Sequence, residues 1–283
     1  MNAKKKTDSA PKLLSFDEYL TSLEEMEAAE KKPAPKKAKK AAEKKPAPKK
    51  AKKAPAKKPS AKKAEKAPAK KTSAKKTAEA RAVEPAVVEG IIASMVSIPR
   101  RDYRMGKFPV TQAQWEAVMG ENPSEFKGAE NPVENVSWDD CQAFLKTLNA
   151  QPAAKASGLV FRLPNEYEWE NACRAGAKGK YCKLADRTEI TEKTLKQVAW
   201  FDKNSDGTTH PVGQKKPNAF RLYDMHGNVC EWTATAVGKY RVRRGGCYHF
   251  SARNCDSYYR YRGSPSDRID NLGFRLCASG RAD

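Results

Sequence analysis

Apolar and polar positions follow helical spacing in three places between residues 100 and 180. Thr111 begins the first pattern and Gly120 ends it, and Ser137 caps the second. The third pattern runs over 166–174, directly after a short strand pattern at 160–163. The apolar positions of the first two are Trp115, Val118 and Met119, and Cys141, Phe144, Leu145 and Leu148. The sequence therefore predicts three helices and one strand in this region.

Short apolar segments separated by Gly, Pro, Asn and Asp make up the rest of the chain after residue 180. Such spacing is typical of strands joined by irregular loops. All five tryptophans lie after residue 100, which indicates that the hydrophobic core is there. We predict an α+β fold with much irregular structure, held together by buried indoles.

Residues 1–30 form a polar segment with one short amphipathic pattern over 13–30. Ser15 and Glu18 have the S-x-x-E spacing of a capping box. Leucines and aromatic residues recur with helical spacing after it. So short a helix is marginal without a core to pack on. Two interpretations stand: a helix that forms only with a partner, and a docking or self-association element.

Residues 31–82 form a low-complexity basic tail. Within 31–77, 21 lysines stand against two glutamates, and KKPAPKKAKKA at 31–41 recurs at 44–54. Ala-Pro steps and repelling charges predict an extended, disordered tether. Such a tail would bind nucleic acid or another acidic surface non-specifically and with steep salt dependence. The alternative is a solubilising spacer.

Residues 88–280 have the composition of one globular domain, long enough for a single core. We find no secretory signal, no lipidation motif and no run of about 18 apolar residues. This predicts a cytoplasmic protein without a membrane span. The seven cysteines include no C-x-x-C pair. They are expected to be free, largely buried thiols in a reducing compartment.

Six segments of this domain, in order, resemble the formylglycine-generating enzyme/sulfatase-modifying factor family. The resemblance implies the C-type-lectin-like fold, in which a few helices surround small sheets. The most specific segments contain RLP-x-E-x-EWE and HGN-x-x-EW. The six are MGKFPVTQAQWEAVMGENPSEFKG (105–128), NPVENVSWDDCQAFLKTLN (131–149), FRLPNEYEWENACRAG (161–176), HPVGQKKPNAFRLYDMHGNVCEWT (210–233), RRGGCY (243–248) and LGFRL (272–276).

The oxidases of the family that this domain resembles use a pair of cysteines that binds copper. In this sequence the second cysteine aligns with Cys255, but the first aligns with Phe250. Phenylalanine cannot ligate a metal, so we expect no copper and no catalytic residues. Cys247, which stands where the oxidases have serine, could in principle replace the missing thiolate. The three acids Glu166, Glu168 and Glu170 look like a catalytic set, but the family pattern makes them structural.

The same resemblance implies a structural Ca²⁺ site in the segment 224–231. Carboxylates of Asp224 and Glu231 would supply hard oxygen ligands, together with the carbonyls of Gly227 and Val229. The alternative is a capped turn whose Glu231 pairs with an arginine. Cys230 replaces the tryptophan that is usual in the motif.

The segment 247–270 resembles the final segment of variable proteins of diversity-generating retroelements. A frame of fixed residues is preserved at 245–246, 252–255, 260, 265, 268 and 272–276. The residue types between the frame positions can each be reached from an Asn codon through changes at adenines. These candidate ligand-binding residues are Tyr248, His249, Phe250, Ser251, Asp256, Tyr258, Tyr259, Tyr261, Gly263, Ser264, Ile269 and Asp270.

Surfaces rich in Tyr with Ser, Asp and Gly between them resemble antibody paratopes. The alternative is that these aromatic residues belong to an ordinary core. A run as dense as 258–262 cannot bury every side chain on one face of a strand, which favours a binding surface. The leading hypothesis is a non-catalytic ligand-binding protein. The alternatives are a copper-dependent oxidase of the formylglycine-generating type and a non-specific nucleic-acid-binding protein that acts through its tail.

Overall fold

A computed structural model describes residues 81–281. The predictions for residues 1–30, and for the tail up to residue 80, lie outside the described residues. The helices are α1 Pro85–Ala93, α2 Gln112–Met119, α3 Trp138–Ala150, α4 Pro152–Ala156 and α5 Glu166–Arg174, with 3-10 helices at Glu192–Gln197 and Ala252–Cys255.

The folded part begins before the predicted boundary at residue 88, which falls inside α1. Val83 is already buried, and its amide donates to the Gln151 side chain at 3.1 Å. Sequence patterning missed α1 because no side chain caps its first turn. It also missed α4, which follows α3 after a single residue, Gln151.

The three helices that the sequence predicted each begin with a capping box. Thr111, Ser137 and Asn165 are the N-cap residues of α2, α3 and α5, and each accepts from the amide three residues later. This contact satisfies an amide that has no partner within the helix. Gly120 ends α2 in the left-handed region, at φ 90°. These boundaries are local, which is why the sequence was enough to predict them.

Two four-stranded sheets and a two-stranded ribbon complete the fold. The first sheet has the order β1-β2-β10-β3 and is antiparallel throughout, and the second has the order β8-β7-β6-β9, with β6 and β9 parallel. The strands are β1 Met95–Ser97, β2 Tyr103–Gly106, β3 Leu159–Arg162, β4 Ala199–Trp200, β5 His226–Gly227, β6 Cys230–Val237, β7 Tyr240–Arg244, β8 Arg260–Gly263, β9 Leu272–Phe274 and β10 Cys277–Gly280. The predicted strand at 160–163 is β3, displaced by one residue.

Large aromatic side chains fill the core between the helices and the sheets. Trp115 stacks on Phe144 at a ring-centroid distance of 5.4 Å, and Phe274 meets the edges of both rings. Trp169 and Trp232 are fully buried. The prediction of a core built around indoles is thus confirmed for three of the five tryptophans. The fold is α+β and C-type-lectin-like, as the sequence predicted.

Candidate functional site

Buried ion pairs fix the ribbon of β7 and β8 to helix α5. Arg260 of β8 makes two hydrogen bonds of 2.7 Å to the carboxylate of Glu166, which is fully buried. Arg244 of β7 forms an ion pair with Glu170, which lies four residues after Glu166 on the same helix. Arg244 and Arg260 lie directly opposite each other in the strand register. Their like charges are tolerated because each has its own glutamate. Glu168 accepts two hydrogen bonds of 2.7 Å from Arg162, so each of the three acids of α5 is paired with an arginine.

Arg244 also holds the chain that leads into β8. Its guanidinium donates to the carbonyls of Tyr258 and Tyr259 at 2.8 and 3.2 Å. From the other side, a carboxylate oxygen of Asp256 accepts from the amides of the same two tyrosines. The backbone of the tyrosine run is thus held by hydrogen bonds to both its carbonyl and its amide groups.

The glycine pair that precedes the candidate segment permits a close backbone approach. Gly246 has φ 73°, and a Cβ atom built on it would lie 2.6 Å from the Asn254 carbonyl oxygen and the Cys255 sulfur. A side chain at this position would push away the 3-10 helix Ala252–Cys255, in which Ala252 and Cys255 are buried. The glycine pair therefore allows the 3-10 helix, which lies within the candidate segment, to pack directly on the backbone of Gly246.

A continuous row of aromatic rings follows the candidate segment, and we call it the aromatic row. Each ring lies next to the following one with centroids 4.6–5.2 Å apart. Contacts of this length are favourable for tilted and edge-to-face rings. In order, the row consists of Phe126, Tyr248, His249, Phe250, Tyr261 and Tyr259.

Most of the predicted binding residues lie at the surface. Tyr258 is 43% exposed beside the row, and its ring carries the Arg174 guanidinium at 4.7 Å. His249 and Tyr258 are exposed, and Phe250, Ser251, Tyr259, Tyr261, Ser264, Ile269 and Asp270 are half-buried. The apolar frame residues at 272–276, in contrast, are buried.

Three of the predicted binding residues are buried and have structural contacts. The Tyr248 hydroxyl donates to Asp270 at 3.1 Å, and burial raises the pKa of this phenol. Asp256 accepts the two amide hydrogen bonds described above, and burial raises the pKa of its carboxyl group. A Cβ atom on Gly263 would lie 2.7 Å from an Asp267 oxygen. All three residues are buried beneath the surface. The expectation that Tyr248 is exposed is therefore corrected.

Phe126 belongs to the aromatic row but was missed in the sequence, because it lies far from the candidate segment. Its ring meets Tyr248 at 5.2 Å, and its amide donates to Glu134 at 2.9 Å. Glu134 is fully buried, and burial raises the pKa of this carboxyl group to about 7. The only sequence signal would have been that Phe126 is an apolar residue within a polar loop.

The cysteine thiols lie in the interior of the domain. All seven are free and buried, and burial raises the pKa of the Cys255 thiol. Phe250, in the position of the missing cysteine, packs instead against the core cluster that contains Cys255. Cys247 is fully buried beside Cys255, whose thiol points to the Cys247 carbonyl at 3.8 Å.

Cys173 and His226 form a thiol–imidazole contact at 3.6 Å. The imidazole already has two other partners: Nδ1 lies 2.7 Å from the Cys255 carbonyl oxygen, and Nε2 accepts from the Cys182 amide at 3.1 Å. Burial lowers the pKa of His226 to about 4 and raises that of the Cys173 thiol. Both groups are therefore neutral at pH 7, whereas an activated nucleophile needs a thiolate. The contact is structural.

The contacts of segment 224–231 do not fit the expected calcium ligands. Both oxygens of Glu231 accept from Arg275 at 2.7 Å, and the Trp169 indole adds a third hydrogen bond. The Arg275 guanidinium, and not a metal ion, therefore supplies the positive charge beside Glu231. One oxygen of Asp224 is buried without a partner, and burial raises the pKa of this carboxyl group to about 6. Of the two carboxylates expected to bind Ca²⁺, only this one oxygen of Asp224 has no protein partner, whereas a Ca²⁺ ion takes six or more oxygens. The carbonyls of Gly227 and Val229 would be the other expected protein ligands.

Residues 81–281 contain neither a cluster of metal-binding side chains nor a helix that could span a membrane. No three His, Cys, Asp or Glu side chains in this range are placed to hold a metal ion together. Among the helices described there, none has both the length and the apolar character required to cross a membrane.

The architecture and the frame define the class of protein. Residues 73–279 match the model of the sulfatase-modifying factor enzyme 1-like domain, and the chain belongs to this family. The structure of Treponema denticola variable protein 1 is similar, with a TM-score of 0.56 and 30% identity over 65% of this chain and 91% of that one.

Two curated relatives have related sequences. The "Chaperone protein LppX" of Paenibacillus barcinonensis is 30% identical over 63% of this chain and 80% of its own length. The "Inactive C-alpha-formylglycine-generating enzyme 2" of Bos taurus is 34% identical over 61% of this chain. The matched region spans 58% of the length of that second relative.

Proposed function

We propose that the domain is a non-catalytic ligand-binding module and that the aromatic row, together with Tyr258, is its binding surface. The observation that carries the proposal is that nine of the twelve candidate binding residues are exposed or half-buried. Their aromatic rings touch one another in a row, and the buried residues Ala252 and Cys255 anchor the same segment to the core.

The chemistry of the candidate residues supports this proposal. Tyrosine supplies a large amphipathic contact area at low entropic cost, and Ser and Asp between the rings supply adaptable hydrogen bonds. The backbone beneath Tyr258 and Tyr259 is fixed by Arg244 and Asp256, so binding would order little of it. Pre-organisation of this kind increases affinity. The similarity to a variable protein from Treponema denticola is consistent with such a role.

We further propose that a diversity-generating retroelement varies this surface. Deep sequencing of codons 241–277 across a growing population and sister strains tests the proposal. Substitutions should fall at the nine exposed or half-buried candidate positions, while the Gly245-Gly246, 252–255 and 272–276 codons remain fixed as the internal control. Because Tyr248, Asp256 and Gly263 have structural contacts, they should vary less. An invariant segment would refute diversification and leave a binding surface for a fixed ligand.

The copper-dependent oxidase is the main competing function. Against it stand Phe250 in the place of a ligand and the burial of Cys255. The discriminating assay incubates the full chain with Cu(I) and a Cys-containing peptide, and follows aldehyde formation. We expect none. Product that disappears with Cys255→Ser would establish the oxidase, with Cys247 and Cys255 as its thiolate pair.

The basic tail carries a second, separate proposal: non-specific binding to nucleic acid or another polyanion. The duplicated KKPAPKKAKKA segment supplies dense positive charge without aromatic residues to stack on bases. Filter binding should show that a fragment of residues 1–80 retains the affinity of the full chain for double-stranded DNA. Affinity should fall by about 10³-fold or more between 50 and 200 mM salt. Weak, salt-independent binding would indicate a spacer.

The seven free cysteines support a reducing, cytoplasmic location.

A further inference from the structure

A cavity of about 210 Å³ opens beside the aromatic row, between the 3-10 helix Glu192–Gln197 and the turn at 201–204. Cavities that hold a whole drug-sized ligand are larger, about 300–1,000 Å³. It therefore suits one group of a ligand. Its lining consists of Glu192, Lys193, Lys196, Phe201, Lys203, Asn204 and Ala252.

The wall of the cavity is basic and its floor is apolar. Lys193, Lys196 and Lys203 are exposed, and the ammonium group of none of the three has an ion pair or a hydrogen bond to any residue between 81 and 281. Glu192 is the single acid of the lining. Phe201 and Ala252 are buried and form the floor. Three like charges at one opening repel one another, and an anion between them would relieve that repulsion.

The cavity lies next to the aromatic row, at Phe250. Phe250, a ring of the row, packs against the cluster that contains Phe201 and Ala252. Its carbonyl oxygen also accepts from the Asp202 amide at 3.1 Å. Ala252 belongs both to the cavity floor and to the frame of the candidate segment. A ligand on the aromatic row could therefore place a side group in the cavity.

We infer that this basic cavity is a subsite for one oxyanionic group, a phosphate, sulfate or carboxylate, carried by the ligand of the aromatic row. The inference rests on the proposed binding function and specifies the chemistry of its ligand. Lysine suits this role because its ammonium group is a compact point charge with three donors. The Asn204 side chain is held in place, since its oxygen accepts from the Phe201 amide and one of its two N–H groups donates to the Ala199 carbonyl. Recognition of the charge would come from the three lysines.

Residue-resolved NMR on the full chain tests the inference, because it separates the cavity from the basic tail. The ¹⁵N-labelled protein is titrated with inorganic phosphate, sulfate or acetate, each against sodium chloride at equal ionic strength. We expect saturable shifts of the amides at 192–204 with at least one oxyanion, and none with chloride. The oxyanion that saturates at the lowest concentration identifies the preferred group.

Two variants of equal net charge supply the control. Lys193→Gln/Lys196→Gln/Lys203→Gln should weaken the affinity of the cavity at least tenfold. Lys146→Gln/Lys155→Gln/Lys239→Gln removes three exposed lysines elsewhere on the domain and should leave the affinity unchanged. Equal weakening by both variants, or shifts that chloride reproduces, would overturn the subsite. The binding surface itself is tested separately, by whether Tyr258→Ser/Tyr261→Ser reduces the capture of a ligand. If that capture is reduced but no oxyanion titrates the cavity, the subsite alone is refuted. If an oxyanion titrates the cavity but capture is unchanged, the binding surface alone is refuted.

Discussion

Glu231 and Arg275 form an ion pair in which both side chains are almost completely buried. Two hydrogen bonds of 2.7 Å join the carboxylate to the guanidinium, and their side chains are 1% and 0% exposed. Arg275 also donates to the carbonyl of Gly106. The pair therefore links strand β6 to the segment between β9 and β10 and to the first sheet.

Removal of one partner should cost much more stability here than at the surface. Glu231→Gln leaves the Arg275 charge buried without a counter-ion and should lower the free energy of unfolding by about 3–5 kcal/mol. The matched control is Arg268→Gln, which breaks a bidentate pair with Asp140 whose arginine is 55% exposed. That change should cost about 1 kcal/mol or less. Urea unfolding followed by tryptophan fluorescence measures both, and equal costs would contradict the burial argument.

Calcium should not stabilise the domain. Glu231 has no oxygen to spare, and the free oxygen of Asp224 is a single ligand. We expect the melting temperature in 1 mM CaCl₂ to equal that in EDTA, with MgCl₂ as the control for ionic strength. A saturable rise with Ca²⁺ that Asp224→Asn abolishes would restore the calcium site that the family resemblance implied.

His226 should make the fold sensitive to mild acid. Its pKa is lowered by burial to about 4 in the folded protein, against an ordinary value of 6.5. The unfolded chain therefore binds a proton between pH 6.5 and 4 that the native protein does not bind. Stability from this residue is complete above pH 6.5 and is lost as the pH falls towards 4, at up to about 1.4 kcal/mol per pH unit.

Two measurements separate His226 from the carboxylates that also titrate in this range. NMR of its ring protons should show no protonation between pH 7.5 and 5 in the native protein. Urea unfolding of His226→Asn should show a shallower loss of stability from pH 6.5 to 5 than the wild type shows. A ring that titrates near pH 6.5 in the folded protein would contradict the assignment.

The sequence was sufficient where the determinants of structure are local. Ser137 and Asp140 predict the start of α3 because a capping box lies within one turn, and Gly120 ends α2 for an equally local reason. It was not sufficient where distant residues meet. Tyr248 was expected at the surface, but Asp270 and Phe126 bury it through contacts that no local pattern reveals.

The candidate site shows the same limit. The frame at 252–255 and the tyrosine run at 258–262 could be identified from the order of residues along the segment. The partner of Glu231 could be named only as some arginine, since Arg275 lies on another strand segment. The cavity beside Phe250 could not be predicted at all, because it forms between 192–204 and Ala252 only once the chain folds.

The most direct test of the binding surface compares two tyrosines of the candidate segment with an exposed tyrosine elsewhere on the domain. Tyr258 and Tyr240 are 43% and 41% exposed, but Tyr240 lies at the start of β7, outside the aromatic row. The full chain, the variant Tyr258→Ser/Tyr261→Ser and the control Tyr240→Ser are immobilised and incubated with extract and medium of the source cells. Bound molecules are then quantified by mass spectrometry. Thermal unfolding of each variant checks that it is folded.

Loss of central aromatic contacts usually costs about 2 kcal/mol or more, which is a factor of about 30 in affinity. We therefore predict at least one molecule that binds to the wild type and to Tyr240→Ser, and that is reduced at least tenfold on Tyr258→Ser/Tyr261→Ser. Identical sets of bound molecules on all three proteins would contradict the claim that the aromatic row and Tyr258 form the binding surface.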